Sequence, residues 1–325
     1  MRSLVRWMAV FLLAAVAWLV WAILVPRQLA APISVLLRNG WSSRRIAAEL
    51  QNGGVIRSST AFLIVHYFKL RPLKAGEYVF DGSVSTSQAY DKIARGEIAF
   101  HTVVVPEGYN MFDVAAAIEA AGLASRSEFL QQARTDVTLI SDLDPEARSL
   151  EGYLFPDTYR FTRTQSTQDM IAAMVRRFRQ EAAHIGLNAN VHRIVTLASI
   201  VEKETAVPEE RARVAGVYTN RLQRNMALDA DPSIIYAALL DGRYSGAIHQ
   251  SDLQANSPYN TYRFAGLPPG PIANPGADSL RAALNPEPND FLFFVSDAQG
   301  HHRFARTMDE HNRNVAAYRR ALSDR

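Results

Sequence analysis

The stretch NVHRIVTLASIVEKETA, residues 190–206, is the most informative segment for the second half of the chain. Apolar residues recur there at the i, i+3, i+4 and i+7 spacing of a buried helix face: Ile194, Leu197, Ala198 and Val201. At about 100° per residue, Lys203 points away from that face, whereas Glu202 and Glu204 fall on its two flanks. A carboxylate beside apolar side chains is costly unless it is paired or protonated. The helix therefore presents two candidates for a carboxyl with a raised pKa.

The end of the helix bears on both candidates. Pro208 disfavours helical geometry at the residue before it, so Glu204 is predicted to lie in the last turn. The negative end of the helix dipole disfavours ionisation there, and a general acid needs a raised pKa near neutral pH. Arg211 and Arg213 follow closely and could oppose the shift. Geometry alone leaves Glu202 and Glu204 open as the acid.

Residues 145–325 are predicted to form a separate, helix-rich α+β domain around this helix. Further helices are expected over five ranges: 167–186, 208–226, 232–240, 278–284 and 308–322. A strand over 291–296, a turn at 297–300 and a partner strand over 302–306 predict a β-hairpin near the C-terminus.

Other charged positions in this domain have structural explanations. Asp231 precedes a proline and is expected to cap its helix, although its closeness to residues 190–206 leaves a second role open. Glu209 and Glu210 fall in the first turn of the next helix and complement its dipole. The pair His301-His302 falls at the hairpin turn, where solvated histidines are common.

A long irregular stretch spans residues 255–277 and is rich in proline, glycine and asparagine. It can form neither a helix nor an interior strand. It presents aromatic faces on which sugar rings can stack and polar groups for sugar hydroxyls, at Tyr259, Asn260 and Tyr262. Long ordered loops inside compact domains are usually functional. The stretch therefore predicts a cleft wall, with a plain connector as the alternative.

The N-terminus predicts a membrane anchor. The nineteen residues 7–25 carry no charge, and at about 1.5 Å per residue a helix of that length approaches the ~30 Å hydrocarbon core of a bilayer. The apolar core of a cleaved signal peptide is usually only about 7–15 residues, so a retained anchor is favoured. Arg2 and Arg6 outweigh Arg27, so residues from about 27 onward are expected to face away from the cytoplasm.

A β-α-α unit is predicted twice within residues 28–144, over about 33–66 and 101–134. Two glycines mark each copy at the same offset of 68 positions: Gly40 and Gly108 at the turn, Gly54 and Gly122 after the first helix. Such a unit by itself names no ligand.

Composition narrows the function classes. Among 325 residues, 21% are charged, and the net charge of +3 is spread without a long basic run, which argues against a nucleic-acid partner. The absence of cysteine excludes disulfides and thiol nucleophiles. The eight histidines lack zinc-site spacing, and no nucleophile elbow or phosphate loop occurs, so neither a metal nor a cofactor is predicted.

Short motifs occur in order along the chain: EGYLFPDTY (151–159), ASIVEKET (198–205), NRL (220–222), DPSIIY (231–236), YNTY (259–262), GLPPGPI (266–272) and PG (275–276). With the anchor and the repeated unit, they resemble the MltG (YceG-like) family of endolytic murein transglycosylases, over residues 30–322. The resemblance implies a LysM-like peptidoglycan-binding region at 28–144 and a lysozyme-like catalytic domain at 145–325. The first repeat departs slightly, with Arg38-Asn39-Gly40 where the second keeps Pro106-Glu107-Gly108.

The resemblance further implies that Glu204 is the catalytic acid/base. It would cleave the MurNAc–GlcNAc β-1,4 bond and leave a 1,6-anhydroMurNAc end without consuming water. Tyr259, Asn260, Tyr262 and Asp231 are expected to bind the sugar or to stabilise developing positive charge.

The predicted protein is thus a lyase-type enzyme anchored once, by residues 7–25, in the bacterial inner membrane, with its catalytic domain in the periplasm. Its expected partners are glycan strands, the lipid bilayer and peptidoglycan synthases, beside which it would terminate nascent strands. Two alternatives remain open: a lysozyme-type hydrolase in which Asp231 or Glu202 activates water, and a non-catalytic wall-binding scaffold.

Overall fold

The protein is described by a computed structural model covering residues 2–297 and 299–323. The chain divides into two compact units. Unit 1 comprises Met1–Thr102 with Arg160–Ser166, and unit 2 comprises Val103–Tyr159 with Thr167–Arg325. Both contain helices and strands, which confirms the α+β class.

Unit 1 consists of one long N-terminal helix followed by a small α+β body. Its elements are α1 (Arg2–Leu24), β1 (Arg27–Gln28), β2 (Ile33–Leu37), α2 (Ser43–Asn52), α3 (Ser59–Lys69), β3 (Gly76–Phe80), β4 (Ser83–Val84) and α4 (Thr86–Arg95). Strands β2 and β3 pair antiparallel, as do β1 and β4. The helices cover β2 and β3 and bury a core that includes Leu37, Leu50, Phe62, Tyr78, Phe80 and Tyr90.

Helix α1 has the length and composition of a membrane span. Its 23 residues extend about 35 Å at 1.5 Å per residue, and its apolar side chains are almost all exposed. Only Ala22, near its end, is buried within unit 1. The helix therefore leaves its apolar surface uncovered by protein along most of its length.

Two strands carry the chain between the units: β5 (His101–Val104) and β6 (Thr158–Phe161). Unit 2 then contains α5 (Met111–Ala120), α6 (Arg126–Thr135), α7 (Thr167–His184), α8 (Val191–Glu204), α9 (Arg211–Gln223), α10 (Asp231–Leu240), α11 (Gln250–Leu253), α12 (Ala277–Leu284), β7 (Phe293–Ser296), β8 (His302–Ala305) and α13 (Met308–Ser323). Short 3-10 helices lie at Val137–Leu139 and Pro208–Glu210.

The two β-α-α segments have nearly the same element bounds once the 68-residue offset is applied. Helices α2 and α5 are capped by Ser42 and Asn110, and α3 and α6 by Ser58 and Ser125. The turn glycines Gly40 and Gly108 share a φ near +78°, at 79° and 77°, which a residue with a side chain rarely adopts. Residues 103–144, which the sequence placed with the anchor-proximal region, share their contacts with unit 2.

Helix α8 lies at the centre of unit 2, because both of its flanks are packed. Helices α9, α10 and α12 contact it; Leu197, Ala198 and Val201 of its apolar face are buried, and Ile194 is partly buried. The predicted helix over 190–206 is observed as Val191–Glu204. The helix predicted over 208–226 is instead a 3-10 turn followed by α9, because the proline that opens the segment starts a short turn.

The C-terminal strands β7 and β8 pair antiparallel, from Phe293 opposite Ala305 to Ser296 opposite His302. Of the turn predicted at 297–300, Ala298 lies outside the described residues. The expectation that His302 is solvated is wrong, because its Nδ1 lies 2.6 Å from Glu210 and its backbone N–H donates to the same carboxylate at 3.1 Å. Glu210 thus ties the start of α9 to β8 rather than merely complementing a helix dipole.

Gly152 lies at a tightly packed position in unit 2. Its φ is +86°, and a Cβ there would approach Pro271 to 2.5 Å and Val195 to 2.8 Å. Gly242 has a similar φ of +67° with nothing within 4 Å of the same position. The two glycines therefore share the backbone constraint and differ in steric room.

Replacing Gly152 with Ala is expected to destabilise the fold by more than about 2 kcal/mol, because strain and overpacking add. Gly242→Ala should cost about 1 kcal/mol for its backbone alone. Denaturant unfolding followed by circular dichroism measures both. Equal losses would show that the contacts with Pro271 and Val195 relax without cost.

Candidate active site

Glu204, the last residue of α8, has the surroundings best suited to acid–base chemistry. Burial raises its pKa to about 7, and the negative charge of Asp231 adds to the rise. A hydrogen bond from Tyr218 and the positive charge of Arg221 act in the opposite direction. A carboxyl with this pKa is present in both protonation states near neutral pH. It can therefore donate a proton and later accept one.

Glu202, two residues earlier on α8, is held in a structural ion pair. Its Oε1 lies 3.3 Å from Arg211 Nη2, and its Oε2 accepts a 2.9 Å hydrogen bond from the N–H of Gly276. Both carboxylate oxygens are thus occupied by protein partners. The structure thereby separates two carboxyls that the helix pattern left equivalent.

The arginine that acts on Glu204 is not one of the two that the sequence suggested. Arg211 pairs with Glu202, and Arg213 pairs with Glu287 at 2.9 Å. Arg221 lies on α9, one turn after Tyr218, and lines the same cleft as Glu204. The motif around residue 221 was visible in the sequence, but nothing local indicated which carboxyl it would face.

Arg221 is itself held by the backbone around it. Its Nε donates to the carbonyl of Leu292 at 2.7 Å, and its Nη1 donates to the carbonyls of Ala227 and Leu228 at 3.0 Å each. The Nη1 atom also lies 2.9 Å from Asp229. One guanidinium thus binds both the segment that precedes α10 and the residue just before β7.

Asp231 and Tyr262 meet at the cleft. The hydroxyl of Tyr262 donates to Asp231 Oδ1 at 2.7 Å, and both residues line the cleft with Glu204. The expectation that Asp231 caps its helix is wrong. The helix begins at Asp231 itself, the cap residue is Ala230, and no side chain caps it. Instead of capping the helix, the carboxylate of Asp231 accepts the hydrogen bond from Tyr262.

Asn260 is completely buried and does not line the cleft. Its Nδ2 donates to the carbonyls of Leu253 and Ala255 at 3.0 and 2.9 Å, and its Oδ1 accepts from the N–H of Tyr262 at 3.1 Å. Asn260 thus shapes the turn that presents Tyr262.

Thr261 and Tyr259, on either side, also point away from the cleft. Thr261 is buried against the start of α10, where its Oγ1 accepts from the N–H of Ala230 at 3.0 Å. The ring of Tyr259 packs on Tyr236 with centroids 5.1 Å apart. Of the four residues in this motif, only Tyr262 therefore reaches the cleft.

The second half of the irregular stretch is anchored to α8 and to a buried carboxyl. Ile272 N–H donates to Ser199 Oγ at 3.0 Å, and Asn274 Nδ2 donates to Glu151 Oε1 at 3.1 Å. Glu151 also accepts from the N–H of Met111 at the start of α5. Burial raises the pKa of Glu151 to about 8, with its hydrogen bonds acting against the rise. These contacts hold the second half of the stretch against α8 and the start of α5, whereas Tyr262 is the residue of 255–277 that lines the cleft with Glu204.

The cleft has a volume of about 520 Å³ and is closed on one side by the C-terminal elements. Strand β7 contributes Phe293 and Phe294, and α13 contributes five residues: Met308, His311, Asn312, Val315 and Arg319. Sequence reasoning missed this wall. The amphipathic pattern of 308–322 predicts a helix but does not indicate what the helix faces.

The cleft therefore combines an acid with a near-neutral pKa, a carboxylate in hydrogen-bond contact with a tyrosine, and aromatic surface. Among residues 2–297 and 299–323, no three histidine, aspartate or glutamate side chains are grouped so that they could hold a metal.

The raised pKa of Glu204 has a consequence for stability. Because the folded pKa lies above the ordinary value of 4.5, Glu204 contributes stability that is complete below that value and is lost as pH rises through about 7. Glu204→Gln, which stays neutral, should lack this loss and be the more stable protein at pH 8 by about 1–3 kcal/mol, given about 1.4 kcal/mol per pKa unit. Unfolding midpoints measured between pH 5 and pH 8 compare the two chains. Parallel plots of the unfolding midpoint against pH would show that the pKa of Glu204 is not raised.

Known proteins resemble this chain over most of its length. The model of the YceG-like family matches residues 35–317. An endolytic murein transglycosylase of Bacillus subtilis (strain 168) is 32% identical over 316 residues, which cover 90% of this chain and 87% of the relative. One from Streptococcus pneumoniae serotype 2 is 31% identical, over 88% of this chain and 58% of the relative. The crystal structure of a yceG-like protein from Listeria monocytogenes aligns with a TM-score of 0.57 and 32% identity, covering 88% of this chain and 99% of that one. With most of its length matched by the family model, the chain belongs to the YceG-like family.

Proposed function

We propose that the protein is a membrane-anchored endolytic murein transglycosylase that cuts peptidoglycan glycan strands with Glu204 as its acid/base. The observation that carries the proposal is the pKa of about 7 on a carboxyl that faces an open cleft. The relatives named endolytic murein transglycosylase support the substrate class.

The chemistry needs one carboxyl in two states. Protonated Glu204 donates its proton to the oxygen that links N-acetylmuramic acid to N-acetylglucosamine, and the C1–O bond breaks. The resulting carboxylate removes the proton from the muramyl C6 hydroxyl, whose oxygen forms the new bond to C1. The proton returns to Glu204, the product ends in 1,6-anhydroMurNAc, and no water is consumed.

Asp231 and Tyr262 are the residues placed to assist. Positive charge develops at the anomeric carbon during cleavage, and a fixed carboxylate nearby stabilises it. The hydrogen bond from Tyr262 orients Asp231, and the half-exposed Tyr262 ring can stack on a sugar face. In this proposal Asn260 is a positioning residue that acts through Tyr262, and Tyr259 supports the cleft from behind.

The N-terminal half completes the proposal. Helix α1 spans the inner membrane with the rest of the chain on the periplasmic side, as its flanking arginines favour. The two β-α-α segments are LysM-like and hold the glycan. Action on nascent strands beside peptidoglycan synthases would end their growth.

Substituting Glu204 with Gln should lower strand cleavage by about 10²–10⁴-fold, because the proton donor is removed. Glu202→Gln is the matched control on the same helix, and it should retain anhydro products because its carboxyl only pairs with Arg211 and Gly276. Mass spectrometry of the glycan products released by each full-length variant measures both effects. The reverse pattern would move the catalytic assignment to Glu202.

The same products decide between the proposed reaction and hydrolysis. The position of Asp231 in the cleft is what a water-activating second carboxylate would also require. Reducing ends in place of anhydro ends would establish the hydrolase, and retained wall binding with no cleavage would establish a scaffold.

The pH dependence of cleavage should shift in opposite directions in two variants. Tyr218→Phe removes a hydrogen bond that lowers the pKa of Glu204, so the alkaline fall in rate should move above that of the parent. Asp231→Asn removes a negative charge that raises this pKa, so the fall should move to lower pH. Initial cleavage rates from pH 5 to pH 9 measure both. Shifts in the same direction would show that Glu204 does not control the alkaline limb.

A further inference from the structure

The C-terminal end of α3 carries an unusual group of exposed apolar side chains. We call Tyr67, Phe68 and Leu70 the apolar tip; they are exposed to 74%, 77% and 76%. Within the described part of the chain, no other large apolar side chain is as exposed, and the most exposed one of α1 itself, Phe11, reaches 72%. Contiguous exposed apolar surface on a protein marks an interaction site.

Leu70 provides a second, independent observation. It ends α3 in the left-handed conformation with φ +48°, a position normally taken by glycine. A leucine there strains the backbone, and its exposed side chain gains no packing within unit 1. The arrangement instead projects an aliphatic group outward beside the rings of Tyr67 and Phe68, which contact each other edge to face at 5.6 Å.

The start of α3 is fixed to the outer end of α1. The guanidinium of Arg57, just before α3, lies 4.4 Å from the ring centre of Trp21. It also donates to the carbonyls of Val25 and, at 2.9 Å, Pro26. Val25 is the last residue of the uncharged stretch and Pro26 follows it, so α3 begins where a membrane span would leave the hydrocarbon core.

The end of α3 is held near the same level through α4. Thr86, the first residue of α4, donates to the carbonyl of Ala22 at 2.8 Å. Lys69, between Phe68 and Leu70, donates to the adjacent Ser87 at 3.0 Å. Ala22 lies three residues before Val25, which is about 4.5 Å along a helix. The apolar tip is therefore tied to the turn of α1 that would meet the outer membrane interface.

We propose that the apolar tip inserts into the outer interface of the membrane that α1 spans. The small α+β body of unit 1 then contacts the lipid directly, in addition to its covalent link to α1. Aromatic rings favour this depth, where one edge is apolar and the other is hydrated. Arg71, which lies 4.0 Å from Asp91 and whose side chain is 60% exposed, follows the tip and carries a positive charge that suits phospholipid phosphates. The proposal rests on the membrane anchoring proposed above.

The absence of cysteine makes the test direct, because one introduced cysteine carries one spin label. The full chain is labelled at Phe68→Cys and reconstituted in nanodiscs containing anionic phospholipid. Accessibility of the nitroxide to oxygen and to a water-soluble nickel chelate is then measured. Ala48→Cys, on the exposed face of α2, is the matched control from the same unit.

We expect the label at position 68 to be reached by oxygen and protected from nickel, and the label at position 48 to be reached by nickel. Nickel access at position 68 equal to that at position 48 would overturn the proposal. Protection from both reagents would also overturn it, because it would show that protein covers the tip.

A third label separates this proposal from the anchor itself. Trp18→Cys lies within the uncharged stretch and should be protected from nickel if α1 spans the bilayer. A protected position 18 with an exposed position 68 would refute insertion of the tip alone, whereas exposure at both would refute the anchor. Adding Phe68→Asp to a chain labelled at Leu70→Cys should abolish the preference for oxygen at position 70, because a charge at this depth is costly.

Discussion

The raised pKa of Glu204 depends on two features of its position: the end of α8 is partly buried, and no cation among the described residues pairs directly with the carboxyl. Glu204 is partly buried in the lining of the cleft, and this burial disfavours ionisation and raises its pKa to about 7 despite the hydrogen bond from Tyr218. Within the described residues, no ion pair reaches this carboxylate, since Arg211 is occupied by Glu202 and Arg221 is held by backbone carbonyls. Contacts within unit 2 therefore hold both arginines away from the Glu204 carboxylate.

Buried polar side chains hold the long loop in place, because they form hydrogen bonds with backbone groups that the loop itself leaves unpaired. Asn260 supports the turn before Tyr262, and Asn274 joins the loop to Glu151. Glu202 fixes the start of α12 through Gly276. Asn260 and Glu202 each lie two residues before a residue that lines the cleft, Tyr262 and Glu204. Several motif residues thus make buried hydrogen bonds, and only some of them line the cleft.

Unit 1 follows a different physical logic, in which exposed rather than buried groups are informative. Its core closes around β2 and β3, yet α1 and the end of α3 leave large apolar side chains uncovered. Those surfaces lie together, because Arg57 and Thr86 bind the last turn of α1. One environment, a lipid bilayer, would account for both.

Local sequence patterns predict the elements whose cause is local: the apolar helix α1, the β-α-α segments, and the helix whose last turn holds Glu204. Periodicity and capping act over a few residues, so they can be read without a fold. Tertiary structure alone decided which carboxyl is paired and which is not, that Asp231 faces Tyr262 instead of capping its helix, and that α13 closes the cleft. Those outcomes depend on groups between 9 and more than 100 residues apart in the chain, as with Glu202 and Arg211 or Glu204 and Arg319. A pKa is set by what surrounds a group in space, and no local pattern specifies those surroundings.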